Sequence, residues 1–136
     1  MILVDTGPLV AAANRTDADH DACIKALADA HPQRLVPGVV IAEVAYLLAR
    51  DAGASVEAAF LRSFGADFLT VVDSTVGDLN RAADLVEQYA DLPLGTTDAC
   101  LVAIAERLGV TKLVTLDHRH FSVVRPHHVP TLTLVP

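Results

Sequence analysis

The sequence predicts an α/β protein: a single domain over residues 1–136 in which helices cover both faces of a central parallel sheet. Short β-rich runs alternate with helical patterns along the whole chain, as expected of parallel strands joined by helical crossovers. A length of 136 residues suits one core, and no repeat, low-complexity stretch or linker divides it. The composition is 52% hydrophobic yet only 4% aromatic, so sheet and helices are expected to pack through aliphatic side chains.

Residues 2–5 read as the first strand. A turn and short helix follow from Gly7 to Asn14, with Pro8 near the start, where a missing N–H costs little. A second helix spans 17–30. Residues 34–36 form a short strand stopped by Pro37-Gly38, and 39–50 a helix apolar nearly all round. Ser55 is a fitting N-cap for a helix over 55–64. Residues 68–72 return as a strand, and Ser74 can cap a long helix to about Tyr89, whose face Leu79, Ala82, Ala83, Val86 has helical spacing. Residues 91–96 are a loop holding Pro93 and Gly95. The next helix carries Leu101, Ile104, Ala105 and Leu108 on one stripe, and Gly109 suits its C-terminal cap. Strands over 110–116 and 131–135 complete the domain. The helix over 39–49 is too apolar for the surface of a monomer. Either it is buried within the domain or, with helix 55–64, it lines a hydrophobic groove for a partner.

The formal net charge of −7 speaks against general electrostatic adhesion to nucleic acid or membrane. It leaves room for a nuclease with a local basic edge, for which Arg119, Arg125 and the histidines near them are the candidates. No apolar stretch is long enough to span a bilayer, and the longest is broken by Glu43. The N-terminus lacks the basic region of a signal peptide, so a cytoplasmic protein with no membrane association is expected. Cys23 and Cys100 stand far apart with no C-x-x-C pair, and are expected to be reduced, buried thiols.

Four carboxylates sit at the borders of the apolar segments. Asp5 closes Met1-Ile2-Leu3-Val4, Glu43 is the only charge within 39–49, Asp98 opens the run 99–105, and Asp117 ends the run 112–116. A charge beside apolar surface is costly unless paired, and four gathered together repel one another. A divalent ion is the simplest remedy. Asp5 and Asp117 end predicted strands, and open parallel sheets bind ligands outside the carboxyl ends of their strands. Asp98 lies in the first turn of its helix, where the dipole tolerates negative charge, and Glu43 about one turn into its own. The four can therefore converge. Hard oxygen donors suit Mg²⁺ or Mn²⁺ and suit zinc poorly. The chemistry implied is hydrolysis of a phosphodiester by metal-activated water. Singly, each Asp has an ordinary reading as a cap or turn former, and Glu43 as the partner of a distant arginine. Their joint occurrence points to a site.

Other constellations are weaker. Asp17-Ala18-Asp19-His20-Asp21 has Ala22 and Ala28 where a calcium loop needs glycine and glutamate. His118, His120, His127 and His128 lack the spacing of a zinc site; a solvated loop is their default reading, and Arg119 or His120 is the candidate for touching a phosphate at the active edge. Asp91, shortly before Pro93, needs no role beyond its loop. A phosphotransfer module of receiver or aspartyl phosphatase type fits poorly, since Thr6-Gly7 follows Asp5 and Lys112 begins a strand rather than following one. There is no Walker glycine loop.

The segments Ile2-Leu3-Val4-Asp5-Thr6-Gly7-Pro8-Leu9-Val10, Val40-Ile41-Ala42-Glu43-Val44, Leu94-Gly95-Thr96-Thr97-Asp98-Ala99 and Val114-Thr115-Leu116-Asp117-His118-Arg119-His120-Phe121 resemble the four acidic motifs of PIN-domain ribonucleases. Order, spacing and total length all resemble a stand-alone bacterial PIN domain of the VapC type, the toxin of a type II toxin–antitoxin pair. The resemblance implies an α/β/α sandwich and a Mg²⁺- or Mn²⁺-dependent endoribonuclease. It also implies a homodimer, and inhibition by a small cognate VapB-like antitoxin. Asp5 and Asp98 match the family's direct metal ligands. Glu43 and Asp117 match the remaining acids, which bind metal directly or through water, or orient the attacking water. Thr6, Thr97 and Thr115 are placed to hydrogen-bond those carboxylates. His20 is also common at this point of such toxins, without a chemical role. A PIN-like module that only binds RNA or protein is the alternative, and the four retained acids speak against it.

Overall fold

Ile2, Leu3 and Val4 are all buried, with no alternation of inside and outside, which marks a central strand covered on both faces. The computed structural model describes residues 1–30 and 32–136. Its strands are β1 (Ile2–Val4), β2 (Arg34–Pro37), β3 (Thr70–Val72), β4 (Lys112–Val114) and β5 (Thr133–Val135). They form one five-stranded sheet in the order β3-β2-β1-β4-β5, and every pairing is parallel. Leu3 lies beside Leu35 of β2 and Leu113 of β4. The chain winds from β1 out to β3, then crosses back to β4 and β5 on the other side. That reversal falls between β1 and β4, where such sheets open a crevice at the carboxyl ends of the strands.

The helices are α1 (Thr6–Ala13), α2 (His20–Asp29), α3 (Gly38–Ala52), α4 (Ala54–Arg62), α5 (Val76–Gln88), α6 (Thr96–Leu108) and α7 (His118–Val123). None among the described residues is long and apolar enough to cross a membrane. The expected α/β/α sandwich is the observed fold, and α6 lies deepest within it. Every residue from Ala99 to Ala105 is buried, so this helix presents no wet face along that run, rather than the single stripe the sequence indicates. Gly109 ends it in the left-handed region at φ 68°, a conformation that favours glycine. Cys23 and Cys100 are free and buried, and burial pushes both thiols up from their ordinary pKa.

Several local expectations need correction. In α3 only Val40, Val44 and Leu48 are buried, while Tyr46 is 65% exposed. One stripe of that helix docks fully, Val39 and Ile41 pack partly against the core, and Tyr46 faces outward. Gly53, not Ser55, precedes α4, and Thr75, not Ser74, caps α5. Thr75 Oγ1 accepts from the Asp78 N–H while the Asp78 carboxylate accepts from the Thr75 N–H, a reciprocal capping box. The face of α5 is also rotated from its apolar pattern: Asp78, Ala82 and Leu85 point inward, and Leu79 is 53% exposed. Ion pairs to α6 set that rotation, with Arg107 on Asp78 at 2.9 Å and Arg81 on Glu106 at 2.8 Å.

α2 begins at His20 rather than residue 17, because Asn14 and Asp17 accept backbone N–H groups and shape a turn first. His20 Nδ1 then bonds the Ala11 carbonyl at 2.9 Å and ties the two helices together. Arg34 is more than the start of a strand. Its buried guanidinium donates to the Phe68 and Leu27 carbonyls and stacks 3.9 Å over the Phe68 ring, joining β2, α2 and the approach to β3. Finally, β4 ends at Val114, two residues early, which frees Asp117 to start α7, a helix the sequence pattern did not reveal.

Candidate active site

Asp5 follows β1 directly and caps α1. Its N–H donates to the Val114 carbonyl, carrying the β1–β4 pairing one step past the strand end, so the carboxylate emerges at the crevice. Oδ1 accepts from the Thr6 N–H and Oδ2 from the Thr115 hydroxyl, both at 2.7 Å. The Thr115 oxygen in turn accepts the Asp117 N–H at 3.0 Å, linking the two acids through one buried side chain. Asp117 caps α7 by accepting the His120 N–H at 3.0 Å, and its other oxygen pairs with His120 Nδ1 at 2.5 Å. Asp98, in the first turn of α6, has Oδ2 3.8 Å from the same nitrogen. Glu43 reaches over from α3, and its Oε2 accepts from the Thr97 hydroxyl at 2.8 Å.

Asp5, Glu43, Asp98 and Asp117 thus line one cleft of about 810 Å³, joined by Thr6, Thr97 and His120. Thr97 and Thr115 hold carboxylates through their hydroxyls, as expected of them; Thr6 does so through its backbone alone. Asp91 is exposed and outside the cleft wall. His127 and His128 are not at the basic edge where the sequence placed them. They pack at the far end of α6, where the His127 N–H donates to Glu106 and His128 Nε2 bonds the Val110 carbonyl. Arg125 turns its guanidinium back onto the Ser122 and Val124 carbonyls. His118 and Arg119 are exposed on α7, next to the cleft residue His120.

Burial and the gathered negative charge both raise the pKa values of Asp5 and Asp98. Burial, then the fields of Asp5 and Asp117, push Asp98 up to about 7; His120 opposes the rise and Glu43 adds to it. Asp5 is raised mainly by burial and further by Glu43 and Asp117, against the hydrogen bonds from Thr115 and Thr6 that lower it. Pairs of carboxylates this close to apolar walls are held ionised by a cation. The donors suit a divalent metal: carboxylate oxygens dominate, and Asp98, Asp117 and His120 each offer an atom within 4.8 Å of the others. The Thr6 hydroxyl, in a residue of the same wall only 6% exposed, has no partner among the described residues.

Fold and cleft together define a class: an α/β/α domain whose carboxylate-lined cleft lies at the strand-order reversal of a parallel sheet. The PIN domain model matches residues 2–125, and the chain belongs to the PIN domain family. It is 33% identical to Ribonuclease VapC26 of Mycobacterium tuberculosis over 99% of this chain and 100% of that one. The fold is shared with M. tuberculosis VapC20, described as a sarcin-ricin loop cleaving toxin, at a TM-score of 0.82 and 20% identity, covering 96% and 99% of the two chains. It is likewise shared with FitAcB from Neisseria gonorrhoeae, at a TM-score of 0.72 and 12% identity over 100% and 97%.

Proposed function

We propose that this chain is a Mg²⁺- or Mn²⁺-dependent endoribonuclease and the toxin of a VapBC-like toxin–antitoxin pair, acting in the cytoplasm as a homodimer. The observation that carries the reading is the convergence of Asp5, Glu43, Asp98 and Asp117 on one cleft, where burial and then the neighbouring acids push Asp98 up to about 7. The full-length likeness to a chain named as a ribonuclease supports the substrate class. Exposed apolar side chains such as Tyr46 on α3 and Leu61 on α4 support a surface for the antitoxin or a second copy.

Asp5 and Asp98 would hold the metal. When bound, such an ion polarises a phosphoryl oxygen and lowers the pKa of a water. The chain does the rest by positioning. Thr115 and the Thr6 N–H fix both oxygens of Asp5, so the carboxylate is presented to the cleft in one orientation. Thr97 fixes Oε2 of Glu43 and leaves Oε1 to orient the attacking water. Asp117, set by its cap and by His120, completes the negative wall that this water faces.

The test is cleavage of single-stranded or loop-containing RNA. Cleavage is expected with Mg²⁺ or Mn²⁺ and none in EDTA, and Asp5→Asn or Asp98→Asn should lower the rate more than about 100-fold. Full activity in EDTA sinks the reading. Sedimentation of the protein alone and with the product of a neighbouring small gene checks the two partners.

A further inference from the structure

The tightest group of potential donor atoms in the cleft contains a nitrogen. His120 Nδ1 lies 2.5 Å from Asp117 Oδ2 and 3.8 Å from Asp98 Oδ2. Donors at adjacent corners around a small dication, each about 2.1 Å from it, stand about 3 Å apart. The first separation must therefore widen and the second narrow, each by less than about 1 Å, to hold one ion. His120 is also anchored for such a role. The Asp117 cap holds its backbone, its side chain is 22% exposed, and the side chain's hydrogen bond runs to Asp117. The Thr6 side chain is buried in the same wall, and its hydroxyl has no hydrogen-bond partner among the described residues.

We infer that His120 is a metal ligand beside Asp98 and Asp117, and that it tilts the cleft toward Mn²⁺ and Co²⁺ over Mg²⁺. The inference rests on the proposed metal-dependent activity and adds to it a donor of a different kind from the four acids. Mg²⁺ is hard, keeps its waters and takes oxygen almost exclusively. Imidazole nitrogen gains in strength as a ligand along the series from Mn²⁺ to Co²⁺, so one nitrogen among oxygens discriminates where a further carboxylate would not. Without an ion, the nitrogen that would ligate is occupied by Asp117, which keeps the ring aimed at the centre of the group.

The experiment uses the whole chain. Mn²⁺ binding is followed by EPR and Mg²⁺ binding by calorimetry, and pulsed EPR of bound Mn²⁺ reads ¹⁴N coupling from a coordinated imidazole. The wild-type protein should show that coupling, and His120→Ala and His120→Gln should abolish it. Both variants should lose about tenfold or more in Mn²⁺ affinity and little in Mg²⁺ affinity. Bound Mn²⁺ without nitrogen coupling overturns the inference while leaving the proposed nuclease intact, as does coupling that survives both substitutions. A wild-type protein that binds neither ion overturns the proposed function as well. Absence of coupling in the wild-type spectrum is decisive even if a variant fails to fold.

Discussion

The Thr115 hydroxyl donates to Asp5 and accepts from the Asp117 backbone, so a single buried oxygen sets the spacing of two acids. Thr115→Val keeps the shape and removes both bonds. It should cost about 1–3 kcal/mol of stability and about 10–100-fold in activity, read by denaturant melts and RNA cleavage. Asp98 behaves in the opposite sense. Its carboxyl is raised from 3.8 to about 7, so the folded state favours the protonated form. The corresponding stability is fully present below the unfolded value of 3.8 and is lost as pH rises through about 7. In EDTA the melting temperature should fall between about pH 4 and pH 7. Asp98→Asn should flatten that fall, giving a protein that is inactive yet more stable than wild type at pH 8. A divalent ion should restore the wild-type melting temperature at pH 8, because binding takes the ionised carboxylate.

At the scale of elements, α5 and α6 are held by two charged pairs as much as by apolar contact. Arg107 and the Thr75 cap outweigh burial at Asp78 and keep that carboxyl below its usual range. Arg107→Ala leaves a buried carboxylate with only its cap and should destabilise by about 2–3 kcal/mol. Asp78→Asn in the same background should recover part of this in a thermal melt. The same pairs explain where the sequence was readable. The strands were legible as short β-rich runs between helical patterns, and the four acids because each borders or interrupts an apolar run. The inward face of α5 was not, since a buried Asp78 with an exposed Leu79 makes sense only with Arg107 in view. Short α7 has only Phe121 buried and hence no stripe to read. The place of His120 depends on the register of α7 against α6, a contact that local pattern does not encode.

Across the whole molecule, the proposed function requires an excess of negative charge to meet a negatively charged polymer. Arg119 is exposed on α7 beside the cleft and has no carboxylate within salt-bridge distance among the described residues. Arg119→Ala should therefore raise the KM for RNA with little change in kcat, and reduce the salt dependence of binding by about one unit of slope. Filter binding across a salt series checks this.

The β1–β4 junction also has a consequence for synthesis. Thr115 and Asp5 meet across 110 positions of sequence. A ribosome releases Asp5 long before it has made the strand that must lie beside it. A nascent or prematurely terminated chain lacking β4 and α7 has half a cleft, with neither Asp117 nor His120. On the proposed reading, no RNA can be cut before β4 and α7 have been made and have joined β1.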